Sequence, residues 1–420
     1  MNTNDGTMTR SIKSTFSQFL SDKERGNGDT EGSYRRNAKR ELNRFREWCA
    51  GEKPDPVNAA DDGVWTGIRD GRRPVQFRDL SVIVFRQYAR YLTEQDFAAS
   101  TVESYYRYVS NWCGWAVTEG YLDTQYATHA DATELIRNLD TSPEGRQVWT
   151  PEQRTELCRY VDKRAHDALD EWGETDSRDG DGDAGGRDQK ASARFEAVKR
   201  CRERLLVYML AYTGLRGSEF LARSDDDRDG RCGLLWERVD ADDNTLRVFR
   251  KSQEWEASPL PDTVLPALTR YRELLSPPED WPVFTTLHRP SLASHVTDAL
   301  SDAGYSTDEI ESIRAEKPDL LVAADHDLPA PKPLTTDGAR RIMKRLCDDA
   351  AIDVDGGTHD YLAPHGGRRG ISETIIRNRS FADAARFIDS TERVVREAYS
   401  HIEAGEQASM VDDVIDETDR

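Results

Sequence analysis

The spacing of apolar residues along the chain is that of helices over most of its length. Between Ser33 and Cys49, apolar side chains recur every three or four residues, which is the repeat of one helical face (Tyr34, Ala38, Leu42, Phe45 and Trp48). The same repeat predicts a helix that starts near Ser11 and another over 81–92. A fourth helix opens on the capping-box pattern of residues 100–103 and stops at Gly120. The sequence thus predicts four helices in this first part of the chain.

The second part of the chain starts a new helical run at 150–153, where a capping threonine precedes a proline at the first helical position. Further helices are predicted over 193–212, 218–223, 263–275 and 335–351. Residues 244–250 instead alternate polar and apolar side chains, as a strand does. They are predicted to pair with 234–239 across the turn at 240–243. The whole pattern predicts a mainly α fold with one small antiparallel β-sheet.

Composition limits the classes of protein that fit this pattern. The 420 residues are enough for two domains, and no run of about 18 apolar residues is present to form a transmembrane helix. The first five residues lack the basic and apolar stretches of a signal peptide, and the six cysteines are scattered without a CxxC pair. We therefore expect a cytoplasmic protein with reduced thiols and no membrane partner.

The net charge of −20 is unusual for a protein that binds nucleic acid, since cations normally replace the counterions on the phosphates. One interpretation is that the chain does not bind DNA. The other is that it works in a halophile's cytoplasm, where an acidic surface keeps proteins soluble and salt screens charges. Two basic helical faces stand out against this acidity and are candidates for DNA contact, with a merely solvated face as the alternative. These faces are formed by Arg35, Arg36, Lys39 and Arg40, and by Arg340, Arg341, Lys344 and Arg345.

Four short segments carry residues that suit phosphodiester chemistry. Arg216 lies in the glycine-flanked turn of residues 213–219, where Glu219 is spaced to hold its guanidinium. Lys251 directly follows the predicted strand, with Arg250 as its rival. His365-Gly366-Gly367-Arg368 opens a helix, and a helix N-terminus favours anions. Tyr399 follows near the C-terminus.

In this order the segments resemble those of the tyrosine recombinases, the phage-integrase family. The resemblance implies that Tyr399 attacks a DNA phosphate and leaves a 3′-phosphotyrosyl enzyme, with no metal ion, cofactor or ATP. It also implies that Arg216 and Arg368 stabilise the pentacovalent phosphorus, that His365 is the base, and that Lys251 protonates the leaving 5′ oxygen. The implied partner is double-stranded DNA, bound by a homotetramer on two duplexes, and the family pattern leaves a monomer in solution open. No small-molecule substrate is implied.

The resemblance also assigns the domains. After a disordered stretch at 1–10, residues 11–123 are expected to form the four-helix, SAM-like core-binding domain that clamps DNA, and 124–148 a linker. Residues 149–402 are expected to form the catalytic domain, with the DNA breaking-rejoining fold and a disordered acidic insertion at 171–188. The aspartates of that insertion do not fit a calcium-binding loop, which needs glycine at its sixth position and glutamate at its twelfth. Counted from Asp179, those positions hold Ala184 and Lys190. The tail 403–420 is expected either to dock on a neighbouring subunit or to fray.

Three positions depart from the family's pattern. Gly367 stands where a bulky apolar residue is usual, and Arg369 where a histidine is usual, so that either Arg368 or Arg369 reaches the phosphate. Ser390 stands where a histidine or tryptophan is usual; either Ser390 substitutes, or His401 does, or activity is reduced. Two rivals to a site-specific recombinase therefore stay open: a DNA-binding protein that has lost activity, and a type IB topoisomerase-like enzyme.

Overall fold

The computed structural model describes residues 9–23, 33–51, 74–139, 147–177, 184–224, 226, 228–354, 359–402 and 405. The chain divides into two compact units, residues 1–142 and 143–420, each with its own apolar core. The fold is mainly helical with one three-stranded antiparallel sheet, which confirms the fold class predicted from the apolar spacing. Within the described residues, no helix is both long enough and apolar enough to cross a membrane.

Five α-helices build the described part of the N-terminal unit. They are α1 (Phe16–Asp22), α2 (Ser33–Ala50), α3 (Val82–Thr93), α4 (Ala99–Thr118) and α5 (Ala130–Arg137), with 3-10 turns at Ile12–Thr15, Phe77–Asp79 and Tyr126–Thr128. Their apolar faces meet around Trp112, which is fully buried. The ring centroids of Phe16, Phe45 and Phe77 lie within 6.2 Å of that of Trp112. Aromatic packing of this kind explains why the helical stripe of the sequence is the core face.

The structure of this unit differs from the prediction in two places. Four helices were predicted and a fifth is present, because part of the expected linker 124–148 is α5, whose Ala132 is buried. Tyr106 fixes this segment by donating its hydroxyl to the carbonyl of Ala127 at 2.8 Å. Arg10, in the stretch expected to be disordered, lies over the ring of Tyr121 and accepts a backbone hydrogen bond from Phe77. Residues 1–8 of that stretch lie outside the described residues.

An antiparallel pair of long helices, α6 (Pro151–Ser177) and α7 (Ala184–Tyr212), organises the C-terminal unit. The insertion 171–188 was expected to be disordered, but both helices continue into it, and only 178–183 lie outside the described residues. Trp172 packs on the core, and Lys190 pairs with Asp176 at 2.6 Å. The prediction of disorder was wrong at these two helix ends. The core contact of Trp172 and the ion pair between Lys190 and Asp176 stabilise helix there, although the sequence is acidic.

A small sheet follows the short helix α8 (Gly217–Phe220) and the 3-10 turn Trp236–Arg238. Its strands are β1 (Val239–Asp240), β2 (Thr245–Phe249) and β3 (Trp255–Pro259), in that order and antiparallel. Phe249 pairs with Trp255, so that residues 250–254 form the turn of the β2–β3 hairpin. Leu246 and Val248 of β2 point into the core, as the alternating pattern predicts.

The remaining described helices are α9 (Leu265–Leu275), α10 (Arg289–Asp302), α11 (Thr307–Glu316), α12 (Asp319–Asp325), α13 (Thr336–Asp349), α14 (Pro364–Asn378), α15 (Phe381–Phe387) and α16 (Glu392–Ala398). The last three enclose a separate small apolar cluster that includes Ile376, Ile388, Val395 and Tyr399. Beyond Ile402 only Gly405 is described, so the tail predicted either to dock or to fray lies outside the described residues.

Candidate active site

Arg216 lies at the start of α8, where the chain turns sharply after α7. Gly214 has a φ of +65°, and a Cβ there would meet the ring of Phe387 at 2.8 Å, so the turn requires glycine. One carboxylate oxygen of Glu219 accepts a hydrogen bond from the backbone N–H of Arg216, and the other accepts one from Nη1 of the same arginine. Both hydrogen bonds are 2.8 Å long. The Glu219 side chain is fully buried, whereas 27% of the Arg216 side chain is exposed. The turn thus fixes a guanidinium that still faces solvent.

Arg368 approaches the same turn from α14. Its residue exposure is 6%, and its guanidinium donates to the carbonyls of Gly214 and Ile388. Burial, and then the nearby charge of Arg216, lower the pKa of Arg368 to about 10. Because such a cation has lost most of its hydration, an anion placed beside it is attracted more strongly than it would be in bulk water.

His365 and Arg216 line one cleft of about 660 Å³. His365 is the second residue of α14 and its side chain is exposed. Arg223 and Arg340 line the cleft as well, together with Asp337, which accepts a hydrogen bond from Arg340 at 2.6 Å. The N-terminal end of α14 adds a positive partial charge to these cations. The cleft is therefore suited to an anion.

Gln147 and Trp149, which the sequence did not single out, hold the start of α14. Gln147 accepts the backbone N–H of Ala363 at 2.5 Å and donates to the carbonyl of Tyr361 at 2.7 Å. Trp149 donates its Nε1 to the carbonyl of Ala363 at 2.9 Å. A Cβ at Gly366 would meet the Trp149 ring at 2.6 Å, so glycine is required beneath it. These contacts position His365 relative to the rest of the unit.

Gly367 lies where α14 crosses α7. A Cβ at this position would meet the carbonyl oxygen of Leu210 at 2.3 Å, which explains the departure from the bulky residue that the family pattern favours. The two arginines that follow take different directions. Arg368 donates to the Arg216 turn, whereas Nη1 of Arg369 donates to the carbonyl of Gln147 at 3.1 Å.

The β2–β3 hairpin brings Arg250 into this cluster. Its side chain is only 4% exposed, and its Nη1 lies 3.2 Å from Oε2 of Glu219. Arg231 fixes the end of β2 by donating to the carbonyls of Phe249 and Arg250. Lys251 is exposed in the hairpin turn and is not among the described residues that line the cleft.

Tyr399 packs against α14 just past the end of α16. It is 6% exposed, and its hydroxyl donates to the carbonyl of Arg369 at 3.2 Å. Burial raises the pKa of Tyr399, outweighing the lowering effects of a hydrogen bond with Ser372 and of the charges on Arg369 and Arg368. In this arrangement the hydroxyl is neutral and bonded to the backbone.

The two candidates for the missing family residue differ in their surroundings. Ser390 is half-buried, and its backbone N–H donates to Ala385 at 2.9 Å. His401 is exposed, with its ring centroid 6.4 Å from that of Tyr399. Asp389, which the sequence did not single out, has a φ of +51° and places a carboxylate oxygen 3.9 Å from Nη1 of Arg216.

Some cations of both basic faces are paired with carboxylates. Arg40 pairs with buried Glu41 at 2.7 Å. On α13, Lys344 pairs with Asp360 at 2.9 Å, and Arg345 pairs with Glu203 at 2.5 Å. Arg35 and Arg36 are half-buried, while Lys39 and Arg341 are exposed. DNA contact through either face would therefore involve cations already held in place by carboxylates.

Comparison with solved structures identifies the fold. No family model matches the sequence, and no curated protein matches it significantly. The chain superposes on a lambda integrase dimer bound to a COC′ core site with a TM-score of 0.51 and 12% identity, over 94% of this chain and 78% of that one. It superposes on the Tn1549 transposon integrase in complex with transposon right-end DNA with a TM-score of 0.51 and 11% identity, over 93% and 95%. The chain therefore has the tyrosine recombinase fold that its motifs predict.

Proposed function

We propose that the protein is a site-specific recombinase that cleaves and rejoins DNA, with Tyr399 as the nucleophile. The observation that carries the proposal is the gathering of Arg216, Arg368 and His365 around the start of α14 and its cationic cleft. The lambda and Tn1549 integrases, which share the fold, were both solved with DNA, and this favours double-stranded DNA as the partner.

Each residue of the candidate site has its own role in phosphoryl transfer. Arg216 and Arg368 bind the scissile phosphate and stabilise the charge of the pentacovalent state, where one lost donor typically slows a reaction by about 10²–10³-fold. His365 takes the proton of the tyrosine hydroxyl, and Lys251 protonates the leaving 5′ oxygen. The energy of the broken phosphodiester bond is kept in the phosphotyrosyl bond, so that rejoining needs no ATP. Exchange between two duplexes requires four cut strands, and the proposal therefore includes four protomers.

Tyr399 must leave its present place before it can attack. Its hydroxyl donates to the carbonyl of Arg369, and burial keeps its pKa raised. A shift of the segment after α16 brings the hydroxyl to the phosphate, where the charges of Arg216 and Arg368 favour the phenolate. The proposal therefore assigns two states to this segment, one buried and one reactive.

Strand exchange tests the proposal against its rivals. Two duplexes of different length and label, with sequence from the flanks of the encoding gene, and in parallel a supercoiled plasmid, are incubated with the full chain in molar salt. A recombinase produces joint molecules of new length, a topoisomerase-like enzyme relaxes supercoiled plasmid without joint molecules, and a binding protein only retards both duplexes. Arg216→Lys should abolish joint molecules. Arg247→Lys, on the exposed face of β2, is the matched control and should leave them unchanged.

A further inference from the structure

Arg250 is a buried cation that the mechanism above does not use. Its Nη1 pairs with Glu219, which is also the partner of Arg216. Arg368 lies close enough for the charges of both other arginines to act on it. Three guanidinium groups thus depend largely on one buried carboxylate, and buried positive charge is unfavourable unless an anion accompanies it.

The Nε–H of Arg250 indicates where such an anion binds. The Nε atom is buried and makes no hydrogen bond within the described part of the chain. Its charged neighbours are carboxylate oxygens of Asp389 at 3.7 Å and Glu256 at 3.8 Å, which are too distant for hydrogen bonds. Buried donors seldom stay unpaired in native proteins, because a buried donor without a hydrogen bond costs free energy.

Asp389 holds a carboxylate between two of the arginines. Its Oδ2 lies 3.7 Å from Nε of Arg250 and 3.9 Å from Nη1 of Arg216. The backbone reaches this place through a left-handed φ of +51° between α15 and α16. The side chain is 43% exposed, so the carboxylate lies on the solvent side of the arginines. This one oxygen therefore lies near both guanidinium groups, just beyond hydrogen-bonding distance of each.

We infer that Arg250 is a third arginine of the phosphate site, and that the carboxylate of Asp389 occupies the phosphate's place in the DNA-free protein. On binding, a non-bridging phosphate oxygen displaces Asp389 and accepts hydrogen bonds from Arg250 Nε and Arg216 Nη1. Glu219 orients both arginines for this contact. The inference rests on the proposed function for the identity of the anion, a DNA phosphodiester, and it adds Arg250 to the set rather than replacing Lys251.

Orthovanadate, a phosphate mimic that also adopts five-coordinate geometry, probes the site without knowledge of the DNA sequence. Its affinity for the full chain is measured by calorimetry in molar salt. Arg250→Met should weaken binding about tenfold or more, because a hydrogen bond to a charged group is lost. Asp389→Asn should strengthen binding about threefold or more, because a competing anion is removed. Arg247→Met, at an exposed position of β2 three residues before Arg250, is the matched control and should change nothing.

Two further comparisons keep the test decisive. Thermal unfolding is recorded in parallel, because Arg250→Met also breaks the pair with Glu219; should that variant unfold, Asp389→Asn alone decides. The inference is overturned if wild type binds no vanadate, if folded Arg250→Met binds it equally well, or if Asp389→Asn leaves affinity unchanged. Arg250-dependent vanadate binding without any DNA cleavage would remove the recombinase proposal, and with it the DNA phosphodiester as the anion, but would leave the anion site at Arg250 standing. DNA cleavage at the wild-type rate in Arg250→Met would remove this inference alone.

Discussion

Glu219 holds Arg216 through two hydrogen bonds of 2.8 Å, one to the backbone N–H and one to the guanidinium. The same carboxylate pairs with Arg250 on the β2–β3 hairpin. One fully buried acid therefore sets the positions of two cations that come from different elements. The geometry of the candidate site depends on this acid as much as on the arginines themselves.

Replacing Glu219 by glutamine tests this dependence. Glu219→Gln keeps the shape of the side chain but removes the counter-charge of two arginines, and we expect it to destabilise the fold by about 2–4 kcal/mol. DNA cleavage should fall by about 10²-fold or more, because Arg216 loses its fixed orientation. Denaturant unfolding and single-turnover cleavage measure the two effects.

The matched control for this variant is Glu397→Gln. Glu397 pairs with Arg393 on the surface, where both side chains are more than half exposed. Surface pairs contribute little, and the expected change is under about 1 kcal/mol. Equal stability and equal cleavage in Glu219→Gln and Glu397→Gln would show that the buried carboxylate does not organise the site.

The close approach of α14 to α7 gives a second prediction. Gly367→Ala places a Cβ 2.3 Å from the carbonyl oxygen of Leu210. Because the clash is with backbone, which cannot move without strain, we expect the free energy of unfolding to fall by about 1–3 kcal/mol. Gly173→Ala on α6 meets nothing within 4 Å and should gain about 1 kcal/mol from helix propensity. Denaturant unfolding compares the pair, and a neutral Gly367→Ala would contradict the packing described for these two helices.

The raised pKa of Tyr399 gives a prediction for catalysis. The hydroxyl must lose its proton to attack, and burial keeps the pKa of Tyr399 above its usual value of about 10. We therefore expect the rate of covalent adduct formation to rise with pH between about 7 and 9, as the phenolate fraction rises. A single-turnover pH profile measures this rate. A flat profile would show that deprotonation of Tyr399 does not limit the rate.

The same shift predicts a change in alkaline stability. The folded protein holds the Tyr399 proton more tightly than the unfolded chain, so this contribution to stability is complete below about pH 10 and is lost as pH rises from there through the folded pKa. Tyr399→Phe cannot ionise and should therefore lose less stability than wild type between pH 8 and about pH 11. Denaturant unfolding at pH 8 and about pH 11 compares the two proteins, and parallel losses in both would contradict the assignment.

The acidic composition predicts how the affinity for DNA depends on salt concentration. If the net charge of −20 reflects a halophile's cytoplasm, DNA affinity should persist at molar salt. Affinity measured by titration between about 0.1 and 1 M salt tests this, because ordinary counterion-release binding collapses over that range. Such a collapse would count against the halophile interpretation.

The parts of this fold that sequence analysis recovered are those set by local spacing. The helical stripe around Phe45 and the alternation of β2 follow from short-range periodicity, and Glu219 lies three residues from Arg216. Gln147 was missed because its partner Ala363 is 216 residues away in the chain. Asp389 was missed because its relevance comes only from the folding of α15 and α16 against the Arg216 turn. The helix ends within 171–188 were missed because their support, such as the pair of Lys190 with Asp176, crosses a hairpin.

The most direct test of the proposed chemistry is covalent attachment of the protein to DNA. Tyr399→Phe removes one hydrogen bond to the carbonyl of Arg369 and leaves the buried ring in place, so the variant should stay folded and bind DNA. Nicked duplexes from sequence flanking the gene are incubated with each protein in molar salt and separated on a denaturing gel. The proposal requires an adduct with wild type and none with Tyr399→Phe. An adduct that persists in Tyr399→Phe, or wild-type binding without an adduct on any of these duplexes, would contradict it.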